Sequence, residues 1–173
     1  MKSRQATAPG PGGRPHRTAT SLRTVVRVLA QVVTAAALAV DAYVHAGLAS
    51  PYDRVGQQIS QGTLFRLEAA VASLAALLVL LLGRRRPVWV FTFLVSVSAL
   101  GAVLFYGYVN VGALGPLPNM YEPFWGPKRT GSAIAEAVGA VTSLVGFLIT
   151  GPPRSASTRS DTPRGDEADG GGG

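Results

Sequence analysis

The sequence predicts an all-α integral membrane protein: an antiparallel up-down bundle of four transmembrane helices with a disordered tail at each end. Charged residues make up only 14% of the 173 residues, whereas a soluble domain averages about 25%. Most of the charge lies outside four long apolar segments. The interiors of those segments contain four acidic or basic side chains: Asp41, His45, Glu68 and Glu136.

Each apolar segment is long enough to cross a bilayer as a helix. A helix rises about 1.5 Å per residue, so about 20 residues cross a hydrocarbon core of about 30 Å. Backbone polar groups in lipid must be paired within the segment itself, which favours helices. Glycine and proline follow the segments at their ends. We expect helices at about residues 25–48, 63–83, 88–114 and 131–151.

The two ends of the chain have a different composition. Residues 1–23 and 152–173 lack apolar periodicity and are rich in proline, glycine and serine or threonine. Such segments bury too little surface to offset the entropy of ordering, so we expect disorder. The ordered domain is then residues 24–151. A cleaved signal peptide is disfavoured because Asp41 interrupts the first apolar segment and further spans follow.

The distribution of lysine and arginine predicts the orientation. With four spans, 12 basic residues lie on the side of the termini and four lie on the other side. Basic residues are in excess on cytoplasmic flanks, so we expect a protein of the cell (inner) membrane with both termini in the cytoplasm. Residues 49–62 and 115–130 are then the outer loops. The second loop is rich in proline and aromatic residues, which is typical of a partner-binding loop or of a segment at the lipid headgroups.

The net charge of +7 does not indicate a nucleic-acid-binding protein. The basic residues flank apolar segments and do not form a face interleaved with aromatic residues. Because the chain has no cysteine, thiolate metal sites and thiol redox chemistry are excluded. Arginine outnumbers lysine 14 to 2, a bias typical of a high-GC bacterial genome.

Polar and small residues follow one face of three predicted helices, at steps of three and four residues. The second helix has a weaker stripe of alanines. Small residues let helices approach closely, and buried hydroxyl groups bond across them, so we expect a compact bundle. In chain order, the stripes contain Arg27, Gln31, Thr34, Leu38, Asp41 and His45; Ala69, Ala72 and Ala76; Thr92, Ser96, Ala99, Val103, Tyr106 and Asn110; and Ser132, Glu136, Gly139, Ser143, Gly146 and Thr150.

The ionisable side chains of the spans share one depth. At the helical rise per residue, they lie roughly 5–10 Å below the outer helix ends. One arginine lies slightly above this layer, while a tyrosine and an asparagine fall within it. The candidate polar or ligand site is therefore Asp41, His45, Arg66, Glu68, Tyr106, Asn110 and Glu136.

Two interpretations of this layer stay open. Ionisable groups inside a membrane are costly and often mark a function, here a pocket for a proton, a cation or a small polar ligand. Alternatively, Asp41 pairs with His45, and Glu68 or Glu136 takes Arg66 or Tyr106, in a purely structural network. Three acids against one arginine and one histidine leave negative charge in surplus, so we expect a bound proton or a cation.

Motifs for catalysis are absent from the sequence: G-x-S-x-G, the P-loop, H-E-x-x-H and the dinucleotide fingerprint do not occur. We therefore predict no catalytic residue, no enzyme activity and no cofactor. Haem ligation by two histidines is not expected because His16 lies in the tail. Three acids with one histidine could hold a divalent ion, but no metal site is predicted.

The segments from His45 to Tyr52 and from Gly62 to Glu68 include the sequences HAGLASPY and GTLFRLE. They resemble a group of small uncharacterised four-helix membrane proteins from actinobacteria. This resemblance covers roughly residues 25–150 and implies the same topology, without an activity. The layout is also similar to that of DoxX-like proteins, although no motif is shared.

Three function classes follow. The first, which the sequence favours, is a structural or interaction subunit in the lipid bilayer, with a membrane-protein partner or as a homo-oligomer. The second is a small transporter or ligand- or ion-binding protein that uses the ionisable layer. The third is a membrane redox accessory of the DoxX-like kind.

Overall fold

The computed structural model describes residues 15–56 and 58–151, and in this part of the chain every regular element is a helix. The helices are α1 (Pro15–Ala49), α2 (Gln61–Leu82), α3 (Arg86–Tyr108) and α4 (Pro127–Ile149). All four are long and apolar enough to cross a membrane. The predicted disorder of residues 1–14 and 152–173 falls outside the described residues.

The helices form a closed ring of four antiparallel neighbours. The first helix packs against α2 and α4, and α3 packs against the same two helices. Leucine and valine side chains are exposed around the outside of the ring, as expected for a surface that faces lipid. The all-α four-helix bundle predicted from the sequence is confirmed.

All four helices begin earlier than their apolar segments predict, and two of them do so by four residues or more. Helix α1 starts at Pro15, within the predicted tail, although its apolar span is Leu22–Ala49. Helix α4 starts at Pro127, four residues before the expected position. Proline suits the first turn of a helix because its missing N–H needs no partner there. Once nucleated, a helix gains one hydrogen bond for each added residue, so it can extend beyond its apolar part.

Helix α3 ends at Tyr108, six residues before the predicted end. The Oδ1 atom of Asn110 accepts a hydrogen bond from the backbone N–H of Gly112 at 3.1 Å. Such local bonds compete with the helical pattern. Gly112 and Gly115 then adopt φ values of +68° and +58°, which only glycine adopts without strain. The connection from 109 to 126 therefore lies outside the helices.

Glycine lets α3 and α4 approach closely. A Cβ atom on Gly146 would lie 2.2 Å from the ring of Trp89, which is fully buried. A Cβ atom on Gly139 would lie 2.7 Å from the Oγ of Ser96. The predicted small-residue stripe of α4 is thus confirmed as a packing surface.

The prediction of an alanine stripe on the buried face of α2 is only partly confirmed. Ala72 is fully buried as predicted, but Ala69 and Ala76 are only half-buried. The buried face of α2 instead contains Ala75 and Val79. This face packs on Leu38, Ala42 and neighbouring residues of the core. The apolar composition of α2 is nearly uniform, so the sequence alone does not indicate its rotation.

Hydroxyl groups join the helices in the half of the bundle near the 83–85 connection. The Oγ1 atoms of Thr34 and Thr142 lie 2.7 Å apart, and Ser143 Oγ lies 3.0 Å from Thr92 Oγ1. We call this half the arginine end, because Arg84 and its neighbours follow α2 there. The opposite half, near residues 50–60 and 109–126, is called the carboxylate end.

Candidate functional site

Two polar pairs face each other between α1 and α4 at the carboxylate end. Asp41 and His45 are four residues apart on α1, and Ser132 and Glu136 are four residues apart on α4. This spacing places each pair on one face of its helix. One ligand atom each from Asp41, His45 and Glu136 lies within 4.8 Å of the other two. We call these three residues the Asp–His–Glu cluster.

The cluster is removed from the surface of the bundle. The exposed fraction is 2% for Asp41 and Glu136 and 7% for His45. Ser132 is buried beside them. The aromatic ring of Phe65 lies 5.7 Å from the His45 ring, and Tyr52 packs edge-on against Phe65. Phe65 therefore contacts both the His45 ring and Tyr52, a residue of the loop that follows α1.

Hydrogen bonds connect all members of the cluster through Ser132 and Asp41. Ser132 Oγ lies 2.7 Å from Asp41 Oδ1 and 2.9 Å from Glu136 Oε1. Nδ1 of His45 lies 2.9 Å from Asp41 Oδ1 and 3.1 Å from the Asp41 carbonyl oxygen. A serine hydroxyl has a single hydrogen to donate. Ser132 can therefore donate to only one of its two carboxylate contacts, and the other needs a further proton or a cation.

Two carboxylate oxygens stay without a hydrogen-bond partner among the described residues. Oε2 of Glu136 is buried and accepts no bond, and the same holds for Oε1 of Glu68. Glu68 is half-buried on α2, close enough to Asp41 and His45 for their charges to interact. A buried polar group without a partner costs about 1–3 kcal/mol, and more when it is charged. These oxygens are available to a ligand.

Arg66 is not part of the site that the sequence predicts. Its guanidinium binds both carboxylate oxygens of Asp53, each at 2.6 Å, in an exposed ion pair. Arginine reaches water with its charged head while its stem stays on the helix, and Asp53 lies within reach in the loop after α1. This bond to Arg66 lowers the pKa of Asp53. The structural alternative in which an acid of the layer takes Arg66 is therefore not the arrangement in the structure.

Tyr106 and Asn110 form no hydrogen bond with the cluster in the described part of the chain. Tyr106 is half-buried; its ring packs against Phe105, and its carbonyl oxygen accepts the N–H of Glu122 at 2.9 Å. Asn110 is exposed in the connection after α3, because the helix ends before it. Of the seven predicted residues, the structure brings together Asp41, His45 and Glu136, with Glu68 beside them.

The prediction of the site omitted Ser132 and Phe65. Ser132 belongs to the predicted polar stripe of α4, one turn before Glu136, so its spacing could have indicated its place. Phe65 precedes the predicted site residue Arg66, and nothing in the helical pattern indicates that it faces His45. Its position depends on the rotation of α2 against α1.

Comparisons of the chain with family profiles, with curated proteins and with solved structures find no match. The actinobacterial and DoxX-like resemblances therefore stay predictions. The fold and its spans define a multi-pass membrane protein. Any narrower function has to be argued from the geometry of the site.

Proposed function

We propose that the protein binds a small cation at the Asp–His–Glu cluster. The observation that supports this most strongly is the single hydroxyl of Ser132 between two buried carboxylates, Asp41 and Glu136. A neutral serine cannot compensate the charge of both. A bound cation supplies the missing positive charge and a partner for the free oxygen of Glu136.

The surroundings of the cluster add no fixed cation. The nearest predicted candidate, Arg66, forms its ion pair with Asp53 at the surface. A charge at the centre of a membrane costs about 3 kcal/mol on insertion scales, and part of this cost applies at the depth of the cluster. His45 lies against Asp41, whereas Glu136 has no basic side chain at hydrogen-bond distance among the described residues. Binding energy from a cation offsets this cost, and the folded bundle provides ligands that are already positioned.

We place this site near the outer face of the cell membrane, with both termini in the cytoplasm. The excess of lysine and arginine on the side of the termini supports this orientation. Reporter fusions after Ser50, Arg85, Pro123 and Arg159 test it. Cytoplasmic signal is expected only at Arg85 and Arg159, and such a signal at Ser50 or Pro123 would contradict the orientation.

Thermal unfolding of the purified full chain in detergent tests cation binding. Na⁺, K⁺, Mg²⁺, Ca²⁺ and Zn²⁺ are added separately at constant ionic strength after treatment with a chelator. A ligand at 100 times its Kd stabilises the folded state by about 2.7 kcal/mol, so at least one cation should raise the Tm by several degrees. Asp41→Asn and Glu136→Gln should abolish this increase, while Asp53→Asn at the surface should keep it. If no cation raises the Tm, or if all variants respond equally, the proposed function is wrong.

A second candidate is a structural or interaction subunit, favoured by a groove of about 450 Å³ between α1 and α2. Alanines such as Ala39, Ala46 and Ala69 line the groove, so another helix could approach closely there. The occupant to test is a second copy of the chain, because symmetric dimers are the commonest oligomers. Ala46→Leu should dissociate such a dimer in lipid nanodiscs. Ala70→Leu, an exposed alanine of α2 outside the groove, is the matched control.

A further inference from the structure

We propose that the cation is a divalent transition-metal ion of the zinc class, bound by a ring nitrogen of His45 and by carboxylate oxygens of Asp41 and Glu136. This inference rests on the proposed cation site and narrows it to one class of ion. It assigns a metal site that the sequence did not predict.

The donor set selects against the other common metal ions. Calcium and magnesium are bound by oxygen ligands alone, whereas an imidazole nitrogen suits zinc, copper, iron and nickel. One nitrogen and two carboxylates form a three-ligand site, and the fourth position of a tetrahedral ion stays open to water or to another ligand. Such an open position is typical of ions that exchange or react.

The spacing of the ligand atoms fits an ion after a small adjustment. Zinc binds nitrogen and oxygen at about 2.0–2.2 Å, so the ligand atoms of a tetrahedral ion lie about 3.3–3.6 Å apart. The three ligand atoms lie within 4.8 Å of one another, and the closest recorded pair, His45 Nδ1 and Asp41 Oδ1, is 2.9 Å apart. A pair at the upper limit of 4.8 Å has to approach by about 1.2–1.5 Å, and the closest pair has to separate slightly, so the carboxylate side chains rotate when the ion binds.

Charge and hydrogen bonding favour a divalent ion over a monovalent one. The two ligand carboxylates and a neutral imidazole carry a charge of −2, which a divalent ion neutralises. Glu68, half-buried beside them, adds a further carboxylate to the surroundings. A monovalent ion would leave one negative charge uncompensated. The buried Oε2 of Glu136, which accepts no hydrogen bond within the described residues, gains a partner when the carboxylate binds the ion.

Ser132 acts on the site through the carboxylates. Its hydroxyl reaches Asp41 Oδ1 at 2.7 Å, which orients this carboxylate toward His45. Hydrogen bonds of this kind around metal ligands typically change metal affinity by about 10- to 100-fold when removed. We therefore expect Ser132→Ala to weaken the site without abolishing it.

Cobalt is the probe for the experiment, because its visible absorption reports the ligand geometry that the spectroscopically silent zinc ion adopts in the same site. The full chain is purified with a tag that contains no histidine, treated with a chelator and titrated with Co²⁺. We expect one cobalt ion per chain, displaced by one equivalent of Zn²⁺ and not by excess Ca²⁺ or Mg²⁺. X-ray absorption of the zinc-loaded wild type should show one imidazole ligand and oxygen ligands, and this measurement needs no variant.

Variants locate the site within the chain. Asp41→Asn, His45→Gln and Glu136→Gln should each weaken cobalt binding by more than tenfold. His16→Ala removes the other histidine of the chain, and Asp53→Asn removes an exposed acid, so both should bind cobalt like the wild type. Circular dichroism of each variant establishes that it is folded.

The results separate this inference from the proposed function. Stabilisation by Na⁺ or Ca²⁺ through the cluster, without binding of cobalt or zinc, would overturn the transition-metal assignment and leave the cation site intact. Equal cobalt binding in all variants, or an absorption spectrum without an imidazole ligand, would also overturn the assignment. Absence of any cation effect in the unfolding experiment would overturn both.

Discussion

The two ends of the α1–α4 interface use buried polar side chains in different ways. At the arginine end, Thr34 meets Thr142, and each hydroxyl can donate one hydrogen and accept another. At the carboxylate end, Ser132 meets two carboxylates, so acceptors outnumber donors. At one end, the same two helices thus form a hydrogen bond between two hydroxyl groups. At the other end, they form a network in which acceptors outnumber donors.

This difference distinguishes packing from binding. Two hydroxyl groups that bond to each other need no added ligand, so an interhelical packing role accounts for them. In the Asp–His–Glu cluster, Glu136 Oε2 accepts no hydrogen bond from the described chain, so this network has a position that a proton or a cation can fill. We expect substitutions at the two ends to differ in magnitude and in their response to cations.

The largest effect is expected from Asp41→Leu at the carboxylate end. This change places an apolar side chain against Ser132, His45 and Glu136 and removes Asp41 Oδ1, which both Ser132 and His45 approach. A buried polar group that loses its partner costs about 1–3 kcal/mol. The free energy of unfolding in detergent with a chelator should fall by about 2–4 kcal/mol. Asp41→Asn keeps an oxygen of similar position and should cost about 1 kcal/mol or less. Equal losses for the two variants would mean that the acceptor at Asp41 contributes nothing.

The next largest effect is expected from Gly146→Ala at the arginine end. The new methyl group would lie 2.2 Å from the Trp89 ring, and overpacking of a core costs about 1–3 kcal/mol. Gly101→Ala is the matched control, because no atom outside its own helical turn lies within 4 Å of the new methyl group. The control should be neutral or stabilising by about 0.5–1 kcal/mol, as alanine favours a helix. Unfolding midpoints in detergent measure both, and similar values would contradict the close helix contact.

A smaller effect is expected from Thr34→Val. Hydrogen bonds between membrane helices contribute about 0.6 kcal/mol on average, and Thr142 keeps its bond to the carbonyl oxygen of Val138. The double variant Thr34→Val and Thr142→Val removes both polar groups and should be nearly neutral. For each variant, the free energy of unfolding is measured in the presence of a chelator, and the cobalt affinity is measured in its absence. A change in cobalt affinity would show that the two ends are coupled.

The smallest effect is expected from Asp53→Asn at the surface. Because Arg66 lowers the pKa of Asp53 in the folded state, this pair stabilises the fold above the unfolded pKa of about 3.9. This stabilisation is lost as the pH falls through the lower pKa that Asp53 has in the folded state. The pair is exposed and screened by salt, so the Tm difference from wild type should be slight at pH 7 and should vanish in acid. A difference that grows on acidification would contradict this sign.

The sequence by itself determined the four spans and most of the buried polar face. Apolar length and helical periodicity are local properties, so Thr34, Asp41 and His45 could be assigned to one buried stripe of α1, and Ser132 and Glu136 to one buried stripe of α4. The common depth of the ionisable groups followed from counting residues along each helix. These predictions needed no knowledge of which helices are neighbours.

Only the tertiary structure decided which polar groups meet. The rotation of α2 places Phe65 against His45 and turns Arg66 toward Asp53. The early end of α3 removes Asn110 from the site because its side chain bonds to the following backbone. Contacts such as that of Ser132 with Asp41 join residues 91 positions apart. They depend on how whole helices pack, and helical periodicity shows which face a residue lies on without showing what that face contacts.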